Sequence, residues 1–76
     1  MKDKMFLKRL GERIRDIRKE KNITQVYLGG KLGTFHTQIG RIERGQVNST
    51  IIMLRHIAKE LGVTVNDLLN FQDKNL

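Results

Sequence analysis

Apolar residues recur at helical spacing along nearly all of this 76-residue chain, and the pattern is interrupted at Asn and Gly residues. No run alternates as a half-buried strand does, so the spacing predicts short helices rather than a sheet. Phe6, Leu7, Leu10, Ile14 and Ile17 share one face at steps of about 100° per residue. Arg18 lies beside that face, at about 20° from Leu7 on the same count. The stretch stops at Lys21-Asn22, where Asn tolerates a left-handed backbone. Thr24 then offers a side-chain oxygen to the free amides of the next turn, as an N-cap does. A second helix over residues 25–32 ends at Gly33. A third spans residues 35–44 and stops at Gly45. A fourth starts after Ser49 or Thr50, carries Ile51, Leu54, Ile57, Ala58 and Leu61 on one face, and ends at Gly62. Thr64 and Asp67 form a capping-box pattern, with Asp in place of Glu. They open a fifth helix with Val65, Leu68 and Leu69.

The expected fold is therefore all-α, five helices with tight connections. At 76 residues, without a repeat or a Gly/Ser-rich linker, the chain is read as one domain, residues 1–76. A chain this size buries only ~60% of its unfolded surface, so its core is modest. The ordered part is expected over about residues 6–71, with residues after Phe71 frayed.

Composition removes several function classes. The chain has no Cys, which excludes a disulfide framework and thiolate metal sites. His36 and His56 lie on different helices and lack a third ligand, so no metal site is expected. The longest apolar run, residues 51–54, is far short of the ~20 residues that span a bilayer. The N-terminal residues hold no apolar stretch long enough for a secretion signal, and a cytoplasmic location is expected. Ser49, Thr50 and Asp67 assemble no nucleophile–base–orienter set with either His; capping explains them better. Gly29-Gly30 lies inside a helix without phosphate-loop spacing. The expectation is a protein that is not an enzyme and needs no cofactor, metal or small-molecule ligand. At this length, a separate sensor domain is not expected.

The formal net charge is +7 and the pI about 10.3. The excess is uneven: residues 1–21 carry net +5, residues 22–48 net +2, and residues 49–76 balance. A field of this kind attracts polyanions, nucleic acid first. A merely basic surface is the other reading, and charge alone does not choose between them.

The stretch from Gln25 to Arg44 does more to choose. Two short helices meeting at Gly33 suit a helix-turn-helix, in which a tight turn sets two helices at a steep angle. With His36 at 0°, Phe35, Ile39 and Ile42 cluster between about 240° and 300°, an apolar face expected to pack on the core. His36, Thr37, Gly40, Arg41 and Arg44 fill the arc from 0° to about 140°. A major groove needs such a surface, with donors for base edges and little obstructing bulk. Arg41 can donate in bidentate fashion to guanine, Thr37 can meet a base edge or a thymine methyl, and His36 can reach a base or a phosphate. Gly40 has two readings: it lets the backbone approach DNA, or it is a weak helix residue costing ~1 kcal/mol relative to Ala.

Several segments together resemble the Cro/repressor-type (XRE) helix-turn-helix family. They are Gln25-x-x-Leu28-x-x-x-Leu32-Gly33, Ile39-Gly40-Arg41-Ile42-Glu43-Arg44-Gly45, Leu54-x-x-Ile57-Ala58-Lys59-x-Leu61-Gly62-Val63 and Asp67-Leu68-Leu69. The opening Ile14-Arg15-x-Ile17-Arg18-x-x-Lys21 is similar to that family's first helix. The resemblance implies a compact five-helix, repressor-like DNA-binding domain, usually dimeric on a partly palindromic operator. It implies base reading by His36, Thr37 and Arg41. It also implies a phosphate contact from Gln25 and neighbouring contacts from Phe35, Gly40 and Arg44. The family's Arg–Glu ion pair matches Arg18 and Glu43. Dimerisation through the last two helices would involve Ile52, Met53 and Phe71.

Four departures stand out. Phe35 replaces a small capping residue, which passes the cap to Thr34. Gly29 and Gly30 replace helix formers and loosen the second helix. Val26 and Tyr27 replace polar residues. Ser49 stands where Pro is common. The expected function is a sequence-specific, homodimeric regulator of transcription on double-stranded DNA. The alternatives are a DNA-binding antitoxin, a restriction–modification controller, or a protein-interaction module without DNA binding.

Overall fold

The computed structural model describes residues 3–71. Over that range the chain forms α1 (Asp3–Glu20), α2 (Gln25–Lys31), α3 (His36–Glu43), α4 (Ile51–Leu61) and α5 (Val65–Leu69). Residues 72–76, expected to fray, lie outside the described residues.

Local chemistry sets these boundaries. Asn22, Gly33, Gly45 and Gly62 all take positive φ and turn the chain after α1, α2, α3 and α4. Gly45 is needed twice over: besides its φ of 73°, a Cβ there would lie 2.6 Å from the Lys8 backbone. Thr24 Oγ1 accepts from the Tyr27 amide at 3.0 Å, and Thr50 Oγ1 accepts from the Met53 amide at 3.1 Å. Thr64 and Asp67 close a reciprocal capping box, at 3.0 Å and 2.9 Å. α3 differs: its N-cap is Phe35, with no side-chain cap bond, so the cap expected of Thr34 is not made.

The core collects residues from all five helices: Leu10, Ile14 and Ile17, Leu28, Ile39 and Ile42, Leu54, Ile57, Ala58 and Leu61, and Leu68. α3 packs on α1 and α2, whereas α4 packs on α5 and α2, and α1 also reaches α5. The α1–α3 crossing is close. A Cβ on Gly11 would collide with the carbonyl oxygens of Ile42 and Glu43. Arg13 Nε donates to the Asp67 carbonyl at 3.0 Å and ties α1 to α5. Among the described residues, no helix is long and apolar enough to cross a membrane.

Two apolar expectations are corrected. Phe35, expected on the core face of the third helix, is 77% exposed. It precedes the first helical residue, with φ −105° and ψ 154°, so the helical wheel does not place it. Ile51, expected on the apolar face of the fourth helix, is exposed, and so is Leu69, for which no face was expected. Each sits at a helix end, where the neighbouring elements do not reach to cover it. Val65 is only half-buried.

Candidate nucleic-acid interface

α2 and α3 meet through the turn at residues 32–35. The Thr34 amide donates to the Gly29 carbonyl at 2.8 Å and closes that turn. A Cβ on Gly29 would lie 3.0 Å from the Phe35 carbonyl carbon and 3.1 Å from the His36 nitrogen. The start of α3 therefore rests on a bare patch of α2 backbone. Gly29, expected to loosen α2, instead permits the contact that aims α3. Gly30 has open space where its Cβ would be.

α3 presents two sides. Ile39, Ile42 and Glu43 are buried against α1 and α2, while His36, Thr37, Arg41 and Arg44 are exposed. His36 shares a shallow hollow of ≈ 560 Å³ with Lys19, Gln25 and Val26. Lys19, which lines the same hollow, adds an exposed cation beside α3, and Arg15 and Lys31 are exposed on α1 and α2. Lys31 holds its ammonium 5.5 Å from the Tyr27 ring centroid.

Gly40, in the middle of the polar face, is buried. The space where its Cβ would be lies 3.0 Å from Arg44 Nη1 and 3.7 Å from both amide atoms of Gln25. Gln25 and Arg44 thus cover the α3 backbone at this point. Arg44 is steadied by donation from Nη2 to Gln46 Oε1 at 3.3 Å.

Beneath this surface lies the ion pair of Arg18 and Glu43, 7% and 5% exposed. Arg18 Nε donates to Glu43 Oε2 at 2.6 Å and Nη2 to Oε1 at 3.0 Å, a bidentate pairing. Arg18 Nη1 donates to the Ile23 carbonyl at 2.7 Å. Gln25 Nε2 donates to Glu43 Oε1 at 3.0 Å. The cluster joins α1, the α1–α2 turn, α2 and α3, and no buried side-chain polar atom among the described residues lacks a partner. The inward bond of Gln25 and the glycine crossing at Gly11 were missed in the sequence. Gly11 gave a usable signal, a residue without a side chain beside the apolar stripe of α1. Gln25 gave none, because the bond depends on where tertiary packing puts Glu43.

The residues expected at a subunit interface divide. Ile52 is exposed, Met53 is half-buried against the core, and Phe71 is half-buried against Phe6, ring centroids 5.4 Å apart. Ile51 and Leu69 instead border an apolar hollow of ≈ 300 Å³ with Phe6, Leu7 and Leu54. His56 is exposed, and no cluster of three or more His, Asp or Glu able to hold a metal occurs among the described residues.

The helix-turn-helix family HTH_3 matches residues 14–68. Control protein C.BamHI of Bacillus amyloliquefaciens is 39% identical over 62 residues, covering 80% of this chain and 76% of that protein. The HTH-type transcriptional regulator SinR of Bacillus licheniformis is 36% identical over 66 residues, or 86% of this chain. The crystal structure of the restriction-modification controller protein C.AhdI from Aeromonas hydrophila superposes with a TM-score of 0.78 at 29% identity. It covers 82% of this chain and 94% of that one. The chain spans 60% of the length of SinR and 42% of a further relative.

Proposed function

Because the chain belongs to the helix-turn-helix family HTH_3, we propose that it is a sequence-specific regulator of transcription. In this reading it binds double-stranded DNA as a homodimer, and each subunit lays residues 35–44 in a major groove. The observation that carries this is the two-sided character of α3. Its apolar side and Glu43 are locked into the core, while His36, Thr37 and Arg41 stand exposed within a basic field. Reading base edges requires donors held on a fixed helix, and the Arg18–Glu43 pair fixes α3 in place. Gln25 and Arg44, brought together over Gly40, lie beside those residues and are suited to a phosphate or a neighbouring base.

The apolar residues left uncovered on α4 and α5, Ile51, Ile52 and Leu69, are assigned to the contact between subunits. Half-sites about one helical turn apart on a partly palindromic operator then follow from two-fold symmetry. That role would place the protein in the cytoplasm, with the DNA.

Selection of bound duplexes from a random pool tests the reading, with binding of the recovered sequence repeated across a salt series. The expected result is a palindromic consensus whose affinity falls steeply with salt, as phosphate neutralisation requires. Failure to recover a consensus, or affinity indifferent to salt, removes the proposal and favours a protein-interaction module.

A second reading within the class is favoured by a specific observation. The relatives named as controllers, C.BamHI and C.AhdI, are matched over 76% and 94% of their own length. A controller role in a restriction–modification system predicts that the consensus occurs beside genes for a nuclease and a methyltransferase.

A further inference from the structure

We propose that the Phe35 ring reads the 5-methyl group of a thymine, which makes Phe35 a specificity-determining residue. This rests on the DNA-binding reading above. Phe35 is 77% exposed, above Val26 at 66% and Ile51 at 59%. It occupies the N-cap of α3, where Ser, Thr, Asn or Asp would satisfy a free amide, and it makes no side-chain cap bond. The sequence therefore gives up a capping oxygen and places an aromatic ring in water at the same position.

The backbone around the ring is held in place. Gly29 supports Phe35 and His36 from below, and the Thr34–Gly29 hydrogen bond closes the turn just before them. The ring thus projects at the end of α3 where His36 and Thr37, both exposed, begin the polar face.

Chemistry narrows what it meets there. A phenyl ring has neither charge nor N–H or O–H, so it gains nothing from a phosphate or from a base acceptor. The apolar feature displayed in the major groove is the thymine C5-methyl, and aromatic or methyl-bearing side chains are its complement.

The test uses the duplex recovered from the random pool. Each thymine of a half-site is replaced singly by uracil, which removes the methyl and leaves every hydrogen-bonding group. Affinities are measured for the wild-type chain and for Phe35→Ser and Phe35→Leu. One uracil should weaken wild-type binding by about fourfold, the worth of one buried methyl. The same uracil should cost Phe35→Ser nothing and Phe35→Leu an intermediate amount. Phe35→Ser regains a capping oxygen and loses no core contact, so its melting temperature should not fall.

Uracil losses equal in the wild type and Phe35→Ser, or absent from both, overturn the assignment while leaving DNA binding intact. Self-association of the free chain that disappears in Phe35→Ser would give the ring a protein partner and also overturn it. If the pool yields no duplex, the DNA-binding reading falls first and this assignment with it.

Discussion

Glu43 does several things with one carboxylate. It accepts from two Arg18 nitrogens and from Gln25, and it sits at the end of the helix assigned to the groove. Glu43→Ala would leave the Arg18 guanidinium buried and short of partners. Breaking a buried pair in this way costs ~3–5 kcal/mol. A large fall in melting temperature is expected, with base preference unchanged in whatever protein stays folded; an unchanged melting temperature would contradict this role. Arg41 is the opposite case, an exposed residue on the polar side of α3. Arg41→Ala should leave the melting temperature alone, weaken binding to the selected duplex by ~1–3 kcal/mol, and relax preference at one base pair. Equal losses on all sequences would make Arg41 a phosphate contact.

Neighbouring glycines in α2 show how an element's geometry overrides its propensity. Gly30 faces open space, so Gly30→Ala should gain up to about 1 kcal/mol of helix stability. Gly29 faces the backbone of residues 34–36 at 3.0–3.2 Å, so Gly29→Ala must shift the start of α3. Thermal melts of the two variants should differ in sign; equal rises would show that the α2–α3 contact is loose.

The fifth helix has a pH-dependent start. The Asp67 carboxyl lies below the ordinary aspartate value of 3.8, first through the Thr64 amide, then the Thr64 hydroxyl, with Arg13 adding to both. A carboxylate depressed in the folded state stabilises above its unfolded pKa, and that contribution is lost as pH falls through the folded value. Asp67→Asn should therefore melt lower than the wild type at neutral pH, with the gap closing below pH 3.8. A gap that persists in acid would mean that the cap does not depend on charge.

Across the whole molecule, the exposed apolar residues of α4 and α5 lie on a different packing unit from α3. α3 is held by α1 and α2, while Ile51, Ile52 and Leu69 sit on α4 and α5, which pack on one another. A two-fold contact through α4 and α5 would leave both copies of α3 free. The double variant Ile51→Glu, Ile52→Glu should abolish self-association in sedimentation equilibrium and reduce binding to that of a single half-site, with folding intact because both side chains are exposed. Undiminished dimer formation would move the subunit contact elsewhere.

The helices and their ends were legible in the sequence because their causes are local. Apolar period, a capping Thr or a left-handed Asn or Gly acts within one turn, and Asn22, Thr24, Thr50, Gly62 and the Thr64–Asp67 box all do so as expected. The polar side of α3 was legible for the same reason. What only the tertiary structure decided lies where helices end or cross. A wheel treats a helix as an endless cylinder. It therefore buried Phe35 and Ile51, which stand at ends that no neighbour covers. It also could not show that side chains from two other positions close over Gly40. The close crossing at Gly11, the inward bond of Gln25 and the Phe6–Phe71 contact join residues distant in the chain. Their physical cause is the relative placement of whole helices, which no periodicity within one helix encodes.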